Sequence, residues 1–399
     1  MKWTWAVTVV FCVFYCAPLC YAADGNELYA IGAIQNGMGG AGIAAPRDAT
    51  WALMNPASLV DLDKRIDISF ELLYNDIFAE PRGLALLSNP LVRRLNDTNL
   101  IPIPSLGLVW PLDKGTLGFG VFGVECNEAD YKRPTATLAL LQNGARHSSY
   151  QVVKFPLAYG YRFDNGWAIG GAVVPTSTRF RSDSLTLKLR PTQGDSRWDS
   201  ALGIGFELAV YRRWNRWSFG ATYSSRIWME RYNKYEHDLM PWSLDLPQEL
   251  RVGVAYRPTK DVEIALDYKR SEWSSIRLLA NKTIRGGLRW EDQQILKAGV
   301  NWDVNKRWSL RAGVSYGNAP VDNNAVWANM LTPALSELHI AAGFSYKVND
   351  HVAYHVGYVY VIPNDRTDNG KGDLFSILGR GTRIGYQEQS LTVQYSYSF

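Results

Sequence analysis

From Ile66 to the C-terminus the sequence alternates between apolar and polar residues with a period of two, which indicates β-strands with two different faces. Val, Ile, Leu and Tyr alternate with Glu, Ala, Asp and Lys in residues 262–269, and similar alternation recurs in 338–347 and 391–399. The second face carries small and charged residues, which suit a wet lumen, whereas the aliphatic and aromatic face suits lipid. This pattern favours an all-β fold, namely a transmembrane antiparallel β-barrel.

The connections between the predicted strands alternate between short and long, which distinguishes an outer-membrane barrel from a β-sandwich. We place about 14 strands, an even number as in other outer-membrane barrels. Tight turns rich in Asn, Asp, Gly or Pro lie at 113–115, 164–166, 214–216, 258–260, 304–306 and 349–350. The other joins are long. Short turns at one end and long loops at the other are typical of outer-membrane barrels, and an even strand number places both chain ends on the periplasmic side.

Aromatic residues are abundant, with 15 Trp and 22 Tyr, and many of them lie near strand ends. We expect one membrane-interface girdle beside the tight turns and a second beside the long loops. The first comprises Trp110, Trp167, Trp214, Trp217, Trp302, Trp308, Tyr256 and Tyr346, and the second comprises Trp228, Trp242, Trp273 and Trp290. The chain ends in Phe399 after alternating aromatics, which resembles the signal that barrel-assembly machinery recognises.

Residues 1–22 have the features of a cleaved signal peptide: Lys2, an apolar core over 6–16 and small residues before Ala23. Three of the four cysteines would leave with this leader, so Cys126 alone cannot form a cysteine-based metal site. A net charge of +4 is too small to predict nucleic-acid binding. The leader and the strand pattern together predict the outer membrane of a Gram-negative bacterium.

Residues 23–65 lack strand periodicity and contain many small residues, so we expect an N-terminal hatch, or plug, inside the lumen. Its predicted gating residues are Gly37, Gly39, Gly40, Gly42, Asn55, Pro56 and Ala57. The division is therefore signal peptide 1–22, hatch 23–65 and barrel 66–399. The glycine run also matches G-x-G-x-x-G, but a dinucleotide site needs a strand before it and a helix after it, and neither is predicted.

Two other patterns resemble catalytic or metal motifs without the required context. Residues 313–317 match G-x-S-x-G, but Ser315 lies in an alternating strand and no helix follows, so we predict no enzyme. His351 and His355 share a strand face but lie ~13 Å apart at ~3.3 Å per residue, too far for one metal. We therefore predict neither a metal nor another cofactor. An outer-membrane barrel esterase stays open as an alternative.

The order of the glycine run, Asp48-Ala49 and Asn55-Pro56-Ala57 resembles the hatch of the FadL/TodX family of outer-membrane transporters for hydrophobic compounds. Patchier likenesses follow at 273–276, 287–293, 310–316 and 387–399. The resemblance implies a monomeric barrel of 14 strands in outer-membrane lipid and lipopolysaccharide, closed by the hatch. It also implies ligand capture between outer loops, transfer to a lumen site beside the hatch and passive lateral exit through a kink in the wall.

Candidate ligand contacts follow from this resemblance and from the alternation. Leucines of the first two long loops would form the landing groove: Leu84, Leu87, Leu91, Leu138 and Leu141. Gly118, Gly120 and Gly123 leave the third strand with few side chains, at the place where the resemblance implies a kink. A fatty-acid carboxylate needs a cation, and the alternation directs Arg251, Lys297, Arg311 and Lys347 into the lumen. Alternatively, these cations pair with Glu207, Glu263 or Asp267 and only stiffen the wall.

The leading hypothesis is therefore passive uptake of long-chain fatty acids. One alternative keeps the fold and changes the ligand to monoaromatic hydrocarbons. A second is a general porin for small polar solutes, which has no need of a plug.

Overall fold

The structure is a computed structural model that describes residues 27–83, 94–95, 100–131, 146–182, 198–235, 243–281 and 288–399. One antiparallel sheet of 17 strands closes on itself, because β1 pairs with both β17 and β3. The strands are β1 Arg65–Glu80, β2 Arg94–Leu95, β3 Leu100–Leu112, β4 Gly115–Tyr131, β5 Arg146–Lys154, β6 Leu157–Arg162, β7 Trp167–Ser182, β8 Asp199–Trp214, β9 Trp217–Ser224, β10 Trp228–Met229, β11 Glu249–Tyr256, β12 Val262–Ser271, β13 Gln293–Asp303, β14 Trp308–Gly317, β15 Leu338–Lys347, β16 Val352–Thr367 and β17 Arg383–Ser398.

Three of these strands do not add a separate strand position to the barrel wall; we call each such position a stave. β5 and β6 are two halves of one stave, interrupted where Pro156 has no N–H to donate. β9 and β10 likewise both pair with β8, and β2 is a short addition beside β1. The described residues thus form a closed antiparallel barrel of 14 staves, which confirms the predicted fold class.

The two faces of the wall differ as the alternation predicts. On β12 the outward Leu266 is 52% exposed, whereas the inward Asp267 is 6% exposed. The six tryptophans predicted beside the tight turns are all exposed. The prediction that Trp273 and Trp290 belong to a second girdle is wrong. These two rings are buried edge to face, 5.1 Å apart, with their N–H groups hydrogen-bonded to Gln293 and Asn329, so they anchor loop segments in the interior.

The wall has a local break at β4. Its pairing with β3 extends only from Gly115 to Phe122, and its pairing with β5 shifts register between Gly123 and Glu125. Beyond this point Val124 accepts a hydrogen bond from the N–H of Leu28 at 2.8 Å. At this point β4 is no longer paired with β3 and is hydrogen-bonded instead to the N-terminal segment.

Residues 27–62, which we name the hatch, lie within the ring of strands and are almost entirely buried. They contain helices Ala33–Gly37 and Trp51–Met54 and a 3-10 helix Pro56–Asp61. Outside the hatch, short helices span Arg277–Ala280 and Leu374–Leu378, and 3-10 helices span Asn233–Tyr235, Trp273–Ser275 and Trp327–Asn329. Among the described residues no helix is long and apolar enough to cross a membrane. The leader, 1–22, lies outside the described residues.

Candidate functional site

Glycines on the inner face of the wall form the surface on which the hatch lies. A Cβ built on Gly299 would be 2.2 Å from the Met38 carbonyl oxygen, and one on Gly170 would be 2.3 Å from the Ala57 nitrogen. The same crowding against hatch atoms holds all round the barrel, at Gly107, Gly118, Gly160, Gly220, Gly253, Gly313, Gly343 and Gly357. Hatch and wall thus meet at backbone distance, which any larger side chain would prevent.

The hatch glycines complete this contact from the other side. A Cβ on Gly37 would be 3.0 Å from Gly343 Cα, and one on Gly39 would be 2.5 Å from the Val314 nitrogen. Gly39 and Gly40 also have φ of 70° and 71°, which side chains rarely adopt. Gly42 leaves room for the Trp51 ring, whose Nε1 donates to the Gly42 carbonyl oxygen.

Buried polar groups of the wall hold the hatch backbone. One carboxylate oxygen of Asp267 accepts the N–H groups of Gly42 and Ile43 at 2.6 and 2.9 Å. Asp67 accepts the N–H of Ala49 at 2.8 Å, and Gln394 joins Ala33 to the Asp48 carboxylate. Burial, and next the neighbouring Asp67, raise the pKa of Asp48. Each of these bonds is released if the hatch withdraws.

Asn55-Pro56-Ala57 joins two hatch segments and the wall. The Asn55 side-chain amide donates to the Ile43 carbonyl at 2.9 Å and to the Val210 carbonyl at 3.5 Å. Asn55 has an extended backbone, as the residue before proline should. Pro56 and Ala57 then lie against wall glycines. The arrangement makes Asn55 an anchor point between the hatch and β8.

A small cavity of about 50 Å³ separates the start of the hatch from the inner wall. Its apolar lining includes Leu28, Ile31, Ile43, Leu53 and Val124. Its cationic lining consists of Lys154, Arg251, Lys269 and Lys297. The cavity thus places an aliphatic surface next to three ammonium groups and one guanidinium group.

The hatch itself supplies a carboxylate to these cations. Glu27 lies 2.7 Å from Lys269 Nζ and 3.3 Å from Lys154 Nζ, and all three side chains are less than 10% exposed. Lys269 also contacts Glu249 at 2.8 Å. Because buried charges are costly without partners, the Glu27 carboxylate offsets part of the cost of burying these two lysines.

The cations that the alternation directs into the lumen lie in two different cavities. Arg251 pairs with Glu249 and lies 3.8 Å from Glu207, as the alternative reading in part expected, and Lys297 donates to the Tyr29 carbonyl at 2.8 Å. Arg311 instead lines a second cavity of about 870 Å³ on the tight-turn side, where its guanidinium donates to Ser345.

Lys347 lines that same cavity and is exposed beside Asp350. Two of its expected partners are engaged elsewhere: Glu263 pairs with Arg47 and Arg257, and Asp267 binds the hatch.

Sequence reasoning missed Lys154 and Lys269 as ligand candidates. Lys269 follows the same alternation as Asp267, which was a usable signal. Lys154 lies two residues before Pro156, where the strand pattern is broken. The landing-groove leucines, at 84, 87, 91, 138 and 141, lie outside the described residues. Ser315 is 1% exposed on the inner face of β14, within a continuous strand.

Comparisons with known proteins agree with this architecture. The family model described as outer membrane protein transport protein (OMPP1/FadL/TodX) matches residues 20–399. A long-chain fatty acid transport protein of Escherichia coli is 21% identical over 374 residues, covering 79% of this chain and 81% of that protein. The toluene transporter TodX of Pseudomonas putida superposes with a TM-score of 0.72 at 15% identity, covering 93% of this chain and 99% of the other. A Pseudomonas aeruginosa FadL homologue gives a TM-score of 0.72 at 15% identity, with 94% and 100% covered.

Proposed function

We propose a substrate and a route for this protein, which belongs to the outer-membrane protein transport family (OMPP1/FadL/TodX), a family of transporters for hydrophobic compounds. The substrate is a long-chain fatty acid. It is captured between outer loops, enters the lumen cavity beside the hatch and leaves sideways through the wall into the outer membrane. Transport is passive, and the protein catalyses no reaction.

The observation that carries the substrate class is the pairing of Glu27 with Lys154 and Lys269 beside an aliphatic surface. A fatty acid presents the same carboxylate on an alkyl chain, and charge-assisted hydrogen bonds to lysine are strong. A neutral aromatic ring gains nothing from two buried ammonium groups, and if it displaces Glu27 it leaves each of them with one carboxylate partner fewer. The cavity chemistry therefore favours acids over hydrocarbons.

The hatch start and the wall break are linked by one hydrogen bond, which supports the lateral route. Val124 lines the cavity and also accepts the Leu28 N–H at the break in β4. Withdrawal of residues 27–31 would remove Glu27 from the two lysines and uncover the inner side of the break together. A ligand that replaces Glu27 would then lie next to its exit.

Binding of oleate and of toluene to the purified protein tests the substrate class. We expect oleate to bind at least tenfold more tightly than toluene. The double variant Lys154→Met/Lys269→Met should lose most of this preference, because the carboxylate loses both partners while the methylene volume is kept. Lys347→Met, at an exposed lysine at the tight-turn end of β15, is the matched control and should retain it.

Equal affinities, or tighter toluene binding, would refute the fatty-acid assignment and favour the aromatic alternative. The membership in the transporter family would stand in either case. A preference for oleate that survives the double variant would place the carboxylate elsewhere in the lumen.

A further inference from the structure

Three side chains of metal-ligand type meet at the outer end of β4 and β5. One ligand atom from each of Glu128, Asp130 and His147 lies within 4.8 Å of the others. His147 Nδ1 is 3.7 Å from a Glu128 oxygen and 3.9 Å from an Asp130 oxygen. None of the three lines the lumen cavity, and the sequence analysis did not single them out.

The strand register explains why these residues meet. Asp130 lies directly opposite His147 in the β4–β5 pair, and Glu128 lies two residues from Asp130 on β4. Residues two apart on a strand share a face, and directly opposed residues are neighbours across it. β4 begins at a tight turn at Gly115, and Glu128 lies beyond the roughly 9–11 residues that cross a membrane. The cluster therefore lies at the external end of the barrel.

The state of Glu128 is the second observation, independent of the ligand geometry. Its side chain is 0% exposed, and neither carboxylate oxygen has a hydrogen-bond partner within the described part of the chain. Ser149, opposite Glu128 on β5, is also 0% exposed, and its hydroxyl has no hydrogen-bond partner in that part either. Arg181 lies opposite Ser149 on β7 and adds positive charge near Glu128 without hydrogen-bonding it. A buried carboxyl in this state must be neutralised by a proton or by a cation, and the ligand geometry around Glu128 suits a cation.

We propose that Glu128, Asp130 and His147 bind a divalent transition-metal ion of the Zn²⁺ class, contrary to the sequence prediction of no metal site. One imidazole and two carboxylates are ligands that Zn²⁺ accepts, whereas Mg²⁺ and Ca²⁺ prefer sites made only of oxygen. Three protein ligands leave a fourth position for water or for the Ser149 hydroxyl. The ion joins β4 to β5.

The location gives such an ion a structural consequence. The outer half of β4 has lost its pairing with β3, and its register with β5 shifts at Gly123. An ion bound by residues of both strands fixes this half of β4 beyond the break. This site and its test do not depend on the substrate proposed for the lumen.

Isothermal titration of the purified, EDTA-treated protein with Zn²⁺ tests the proposal. We expect one saturable site per chain with a dissociation constant in the micromolar range or below, and no comparable binding of Mg²⁺. Glu128→Gln and His147→Ala should each weaken Zn²⁺ binding at least tenfold. His351→Ala, at an exposed histidine near a tight turn, is the control and should leave binding unchanged.

Each variant is compared only if its strand content by circular dichroism equals that of the unsubstituted protein. Asp130→Asn, a near-isosteric change, provides a further variant if one of the others fails to fold. The absence of saturable Zn²⁺ binding would overturn the proposal. Binding that persists unchanged in both Glu128→Gln and His147→Ala would overturn it equally, because the ion would then bind elsewhere.

Discussion

At the scale of single residues, the hatch is held by polar groups that have few alternatives inside the barrel. Asn55 is the clearest case, because one side-chain amide bonds both the hatch carbonyl of Ile43 and the wall carbonyl of Val210. Glu27 is a second, because it meets two buried lysines of the wall. Asn55 and Glu27 thus each join the hatch to the wall.

Asn55→Ala should impair oleate uptake while the barrel still assembles in the membrane. Loss of its hydrogen bonds should lower the free energy that holds the hatch by about 1 kcal/mol. Uptake by cells and heat-modifiable mobility of the extracted protein measure the two effects. Asn323→Ala, at an exposed asparagine, is the control. Normal uptake in Asn55→Ala would mean that this turn is only a connector.

Ser315→Ala tests the hydrolase alternative at the same scale. Ser315 is enclosed by a continuous strand, so we expect no ester turnover by the unsubstituted protein and none by the variant. The measurement is release of nitrophenol from an acyl ester by the purified protein. Turnover that disappears on this substitution would contradict the transport assignment as a complete account.

At the scale of elements, the glycine-lined inner wall fixes how closely the hatch can pack. Gly313→Val should displace the hatch, because even a Cβ at this position would lie 2.2 Å from Gly39. We expect increased leak current in planar bilayers. Gly171→Ala is the control, since its nearest contact to a new Cβ is 3.2 Å. An unchanged leak current in Gly313→Val would mean that the hatch does not pack against Gly313 as described.

The strands were predictable from sequence because a membrane barrel imposes one alternation over every stave. Leu266 and Asp267 show the two faces directly. The lining of the cavity was less predictable, because it depends on which inward-facing residues of different strands lie at the same level along the barrel axis as the start of the hatch. Arg311 has the correct parity but lies on the tight-turn side, whereas Lys154 belongs to a stave broken by Pro156. Trp273 and Trp290 were misassigned because position near a strand end does not reveal whether a loop folds inward.

At the scale of the whole molecule, a closed barrel with a packed interior differs from a general porin. Deletion of residues 23–62 should convert the protein from a closed carrier into a leak, with a conductance rise seen in planar bilayers. The reason is that the hatch contacts the inner face of most staves. A general porin would show the same conductance with and without this segment. Unchanged conductance in a folded deletion variant would therefore favour the porin alternative.

The proposed route requires residues 27–31 to leave the lumen before a fatty acid can pass. Leu28 lies opposite Val124 in a hydrogen-bonded antiparallel pair. The Cα atoms of such pairs are about 5.5 Å apart, which is within the range that a disulfide spans. We would combine Leu28→Cys and Val124→Cys with Cys126→Ser and measure oleate uptake in cells whose only fatty-acid transporter is this variant. Oxidation should abolish uptake, and reduction should restore it. Full uptake by the oxidised, cross-linked protein would contradict the proposed route.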